Sequence, residues 1–265
     1  PAPLLRPHRT WGGEAGSVDI TASRLVLNNG GQIKTSTSTS GKAGKTTIVA
    51  DNVSIDGANN SAQVLTGIAS TTQGKGDSGE ISISAAQDFS LLRLGQISAS
   101  TNAAGRAGNI GVQAQTIRID GRQDTDRRIS ASSISAEAGP TSSGQTGNLA
   151  ITAQRAITIT NGGRLSTQNA ANVSPAAASQ LNDDQARRTR LAVSAPDITL
   201  IDSQITTAST GNINASDIDI RFTNKLHLDP SIISTSANTG DGGAIDIQGG
   251  RLMILDRSIV STSVY

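Results

Sequence analysis

One stretch limits what this chain can fold into more than any other. Gly16 to Ser40 reads GSVDITASRLVLNNGGQIKTSTSTS and holds three short alternating runs: Val18-Asp19-Ile20, Leu25-Val26-Leu27 and Gln32-Ile33-Lys34-Thr35. Apolar alternation with period two marks strands that bury one face. Turn-forming residues separate the runs, notably Asn28-Asn29-Gly30-Gly31. Three strands with tight corners make one turn of a coil. A lone turn cannot bury its apolar face, so it requires copies of itself above and below.

The copies are present. Taking Gly16 as the origin places Gly44, Gly79, Gly108, Gly147, Thr189, Ser216 and Gly243 in one column. The basic unit is about 27 to 29 residues, inside the range of solenoid repeats. The first strand carries inward pairs from Val18/Ile20 through Ile81/Ile83 and Leu149/Ile151 to Ile245/Ile247, with Thr46 the one polar exception. The second runs from Leu25/Leu27 through Phe89/Leu91 and Leu226/Leu228 to Leu252/Ile254. The third gives one large residue per coil: Ile33, Ile68, Ile97, Ile134, Leu165, Ile205, Ile232 and Ile259. Small residues follow it, from Thr35, Ser70 and Ala99 to Ser234 and Ser261. An alanine column (Ala22, Ala50, Ala85, Ala114, Ala153, Ala195) closes the first strand.

The chain travels the same way round each coil, so strands of successive coils are parallel, and such crossovers are right-handed in about 98% of cases. The expectation is an all-β, single-domain right-handed parallel β-helix of about eight three-stranded coils. It covers 16–265, with insertions at 57–66, 120–128 and 168–188. Residues 1–15 form an N-terminal extension or cap: either a disordered tail, or a segment whose Leu4, Leu5 or Trp11 covers the open end of the first coil. A composition of 35% hydrophobic and 2% aromatic residues suits a thin core of Ile, Leu, Val and Ala.

The phrases NNGGQIKTSTSTSGKAG, GQISASTNAAGRAGNI and SGQTGNLAITAQRAITITNGGRLSTQ resemble the repeat shafts of filamentous-haemagglutinin-like exoproteins, the cargo of two-partner secretion. The resemblance runs from Gly12 onward. It implies export across an outer membrane and a role as an adhesin or surface structure. The Asn-Pro-Asn type motif of that family's secretion domain does not occur here, so the resemblance is to shaft alone and assigns no activity to particular residues.

Charge and composition exclude several other classes. Twenty-two basic residues stand against 21 acidic ones, so no global field attracts nucleic acid or a membrane surface. Cysteine is absent, which removes disulfides, thiol catalysis and thiolate metal sites. No apolar run approaches the roughly 18 residues of a membrane span. The sequence opens on Pro1 with no signal peptide ahead of the repeats, as expected of a processed or excised piece.

β-Helices also carry polysaccharide lyases and hydrolases, so a carbohydrate-active enzyme is the alternative. Sugar chemistry usually needs paired carboxylates. The only histidines are His8, in the proline-rich opening, and His227, which points outward between Leu226 and Leu228. Asp219 and Asp246 are expected one coil apart on the outer face, with no Lys or Arg in their column, and are the candidate cation site. Gly240-Asp241-Gly242-Gly243 resembles one turn of the calcium-binding β-rolls, but that motif works by repetition. No coil offers outward Thr at both third-strand positions, which excludes an ice-binding face. The expectation is therefore no enzyme and no cofactor. Ile233 and Val260 are expected to form an outward apolar strip that, with Tyr265, makes an assembly interface. Its partner would be another copy or further repeats, and surface glycans are a further candidate ligand. The location implied is extracellular, on a bacterial cell surface.

Overall fold

A computed structural model describes residues 13–58, 66–123, 129–142, 145–183 and 188–265. Parallel strands wind through eight coils into two sheets, and the fold is a parallel β-helix. In coil two the inward positions Thr46, Ile48 and Ala50 are followed by Val53 and Ile55, a phase break of one residue. That break is the corner after the alanine column. In most coils the chain stays hydrogen-bonded through it, so the first two runs form one strand, as in Val18–Asn28, Thr46–Asp56 and Ile110–Asp120. Coil three separates them as Ile81–Ala85 and Asp88–Leu92. The third runs, from Gln32–Thr37 to Ile259–Val264, stack as the eight-stranded second sheet.

Register across coils places like on like: Ile48 on Ile83, Ile151 on Val193, Ile134 on Leu165. These side chains, with Phe89, Ile119 and their column mates in coils two to seven, are buried and form one continuous core along the axis. The small third-strand column has a polar task. Ser70 Oγ accepts the Gly79 N–H at 2.8 Å, Thr207 Oγ1 donates to Ser216 O at 2.6 Å, and Thr235 Oγ1 donates to Gly243 O at 2.7 Å. Corner backbone groups buried in the stack thereby gain partners.

Glycine is required where coils meet most closely. A Cβ on Gly108 would lie 2.0 Å from Gly79 O, and one on Gly147 would lie 1.9 Å from Gly108 O. The corner after the second run needs a left-handed residue, supplied by Asn29 at φ 50° and Asn161 at φ 53°, each followed by glycine.

Two parts of the expected register are corrected. Coil seven carries one extra residue at its corner: Ala195 pairs with Phe222 but Asp197 pairs with Lys225. Coil eight inherits it, so Leu226 lies under Met253 and Leu228 under Leu255. The inward pair of coil eight is therefore Met253/Leu255, not Leu252/Ile254. In the second sheet Ile205 pairs with Ile233 and Ile233 with Val260, so Ile233 replaces Ile232 in the core column and Thr235 replaces Ser234. The cause is local. Leu252-Met253-Ile254-Leu255, Ile232-Ile233 and Ile259-Val260 are apolar at adjacent positions, and such runs carry no period-two signal to choose between faces.

The alanine column ends in a size exchange. Phe222 stands where Ala195 stood, and Gly249 follows it; a Cβ there would meet the Phe222 ring at 1.9 Å. The 168–188 excursion contains a helix, Pro175–Asp183, whose Ala178 is buried. Asn182 fastens it to the stack by donating to Asn212 O at 3.2 Å and accepting the Asn214 N–H at 2.9 Å. Leu4, Leu5, His8 and Trp11 and most of the 57–66 and 120–128 insertions lie outside the described residues.

Candidate functional site

The outer face is organised by columns one residue wide, and charges are matched between neighbouring columns and coils. Asp219 and Asp246 are register partners, as the spacing requires. Their column holds no Lys or Arg, but cations reach them from the neighbouring columns. Arg190 Nε lies 2.8 Å from Asp219 Oδ2; Arg221 Nη2 lies 2.9 Å from Asp246 Oδ2 and 3.4 Å from Asp219 Oδ1. The hydrogen bond from Arg221 holds the Asp246 carboxyl below the usual range, although slight desolvation acts the other way. Two guanidinium groups already neutralise the two carboxylates, so the arrangement is an ion-pair ladder. Among the described residues no group of three or more His, Cys, Asp or Glu is placed to hold a metal.

The same device recurs at other corners. Arg93 Nε donates to Asp56 Oδ1 at 2.9 Å, and that bond is the main reason the Asp56 carboxyl titrates below its ordinary value. Asp120 receives Arg118, Asn161 Nδ2 at 2.8 Å and Thr160 Oγ1 at 3.1 Å. Burial alone would raise its pKa; these three donors reverse the sign. Arg257 reaches Asp229 at 2.7 Å, and Lys45 reaches Glu80 at 3.4 Å. Asparagine does the work without charge: Asn109 Oδ1 accepts the Asn148 N–H and Asn148 Oδ1 accepts the Arg190 N–H, both at 2.8 Å. Except for Arg118–Asp120, which lies within one strand, each contact joins one coil to the next. His227 sits half-buried on the outer column between Thr199 and Ile254.

The expected assembly residues separate. Ile233 is fully buried and belongs to the core, so it cannot form an outward strip. Val260 lies directly above it in the inward column and is 37% exposed because no described coil covers it. Tyr265 is 85% exposed, with its N–H bonded to Ala237 O. The outward apolar pair is Ile232 and Ile259. Around them Leu252, Met253, Ile254, Leu255 and Val264 are exposed as well. Sequence reasoning located this surface at the correct end and on the wrong column.

No protein-family model, no curated protein and no solved structure matches the chain. No helix among the described residues is long and apolar enough to cross a membrane.

Proposed function

We propose that this chain is an extracellular, non-enzymatic β-helix segment of a cell-surface protein, adhesin-like in character, serving as shaft and binding face. The repeats' resemblance to exoprotein shafts supports that reading, and so do the outer-face ion pairs that join coil to coil. The observation that carries it is the open end of coil eight. Its inward residues Met253, Leu255 and Val260 continue the core columns yet remain exposed, beside unpaired strand edges. Exposed core columns beside free strand edges form a stacking surface that fits a coil of the same kind, such as a second copy carries. Head-to-tail stacking does not close on itself, so it yields fibres.

Electron microscopy of the purified protein tests this directly: filaments of single-solenoid width are expected. Val260→Lys combined with Thr262→Pro charges the open column and removes an edge donor, so it should abolish filaments while leaving circular dichroism of the stack unchanged. Strictly monomeric protein at high concentration would refute self-assembly. Reproducible release of reducing or unsaturated sugars from a polysaccharide panel would favour an enzyme instead.

A further inference from the structure

The outward face of the second sheet carries a groove that the coil-to-coil ladders do not use. Its floor is one column of short side chains in register: Ser98 under Ser135, Ser166, Thr206, Ser234 and Ser261. Six hydroxyl groups thus stand in file over roughly 24 Å at the spacing of paired strands. Longer side chains flank the file. Gln96, Arg164 and Gln204 rise on one side; Glu137 and Gln168 rise on the other. Ser135 is outward on its strand yet only 7% exposed, which places it at the bottom of the trough. A cavity of about 470 Å³ lies there, over Ser133, Ser135, Ser166 and Thr206. The excursion bearing the helix Pro175–Asp183 leaves the strand Arg164–Asn169 of the same floor.

The geometry points to this groove as a binding site for a linear, uncharged oligosaccharide lying along the helix axis. This inference rests on the adhesin-like reading and names its ligand class. A hydroxyl both donates and accepts, and an amide offers both functions, so floor and walls can meet sugar hydroxyls of either orientation. The repeat of one floor hydroxyl per coil suits a polymer of similar repeat, one ring per coil. A strand-adding peptide needs a free sheet edge, whereas each floor strand from Gly95–Thr101 to Ile232–Ala237 is paired on both sides. A polyanion needs a cationic column; here Arg164 faces Glu137 across the trough, and neither forms an ion pair among the described residues.

The test titrates the whole chain with hexamers of β-1,4-glucose, α-1,4-glucose and β-1,4-N-acetylglucosamine, with a sulfated hexasaccharide as comparison, following backbone amide shifts. At least one neutral hexamer should move amides of Gly95–Thr101, Ser133–Ala138 and Arg164–Asn169, and bind more tightly than the sulfated one. Ser166→Tyr fills the trough from an outward position and should weaken binding by roughly tenfold or more without lowering the unfolding temperature. Absence of binding by every neutral hexamer, or equal binding to Ser166→Tyr, overturns the groove. Stronger binding of the sulfated hexamer overturns it in favour of a polyanion. Adherence of protein-coated beads to cells separates the two readings: adherence that persists in Ser166→Tyr removes the groove and leaves the adhesin-like role standing.

Discussion

Coil three and coil eight place similar residues in the same columns and bury them differently. Phe89, Leu91 and Ile97 are sealed from solvent, while Met253, Leu255 and Val260 are 41%, 49% and 37% exposed. Pairing register is intact in both coils. The difference therefore lies in stacking alone. In a solenoid the strand sets which way a side chain points, and the neighbouring coils set whether pointing inward stabilises anything. Coil one shows the same effect in milder form, with Ile20, Leu25, Leu27 and Ile33 only partly buried.

Core truncation should display this contrast most strongly. Ile151→Ala, in the middle of the stack, is expected to destabilise by about 2–5 kcal/mol in chemical denaturation. Leu255→Ala truncates a residue already 49% exposed, and should change stability much less. Equal losses for the two variants would mean that coil eight is covered in solution, which filament formation would also accomplish. Repeating the pair with the assembly-blocking double variant as background separates these outcomes.

Glycine gives the next largest contrast. Gly108→Ala forces a methyl onto the Gly79 carbonyl, and overpacking of this kind typically costs about 1–3 kcal/mol. Gly16 occupies the same column in coil one, where a Cβ would meet nothing within 4 Å. Gly16→Ala should therefore leave the denaturation midpoint nearly unchanged. A comparable loss there would show that something covers coil one from below.

The columns of coils one to six were legible because alternation, corner residues and the small third-strand residues agree at every repeat. Corners of separate coils also carry the same signal: Asn29-Gly30 in coil one and Asn161-Gly162 in coil five mark the same turn. Legibility failed where alternation failed, at Ile232-Ile233 and Leu252-Met253-Ile254-Leu255, since a single inserted residue exchanges the two faces and both faces there are apolar. The ion-pair ladder was half legible. The Asp219–Asp246 spacing follows from the repeat length, but Arg190 and Arg221 start one column away and reach it through long side chains. Composition by column does not record reach. The groove was hidden for a related reason. Ser98, Ser135 and Ser166 are unremarkable singly, and only the heights of neighbouring columns make them a floor.

Acid titration gives the smallest contrast and compares the ladders of the middle with those of the end. Asp56 and Asp120 have folded pKa values below the ordinary carboxylate range, because Arg93 bonds the first and Arg118, Asn161 and Thr160 outweigh burial at the second. A depressed folded pKa contributes stability above the unfolded value of about 3.9, and that contribution disappears as pH falls through the folded value. The unfolding temperature should accordingly be flat from neutrality to about pH 5 and decline below about pH 4. Asp120→Asn lowers stability at neutral pH and makes the acid decline shallower, since the variant has no such proton to take up. Asp246 is also depressed, through Arg221, but its pair stands in open solvent where screening leaves little net interaction. Asp246→Asn should alter the acid slope less than Asp120→Asn does, and added salt should erase what difference remains from the parent. An Asp246 effect as large as that of Asp120 would require the coil-eight ladder to be shielded from water, as a stacked second copy would shield it.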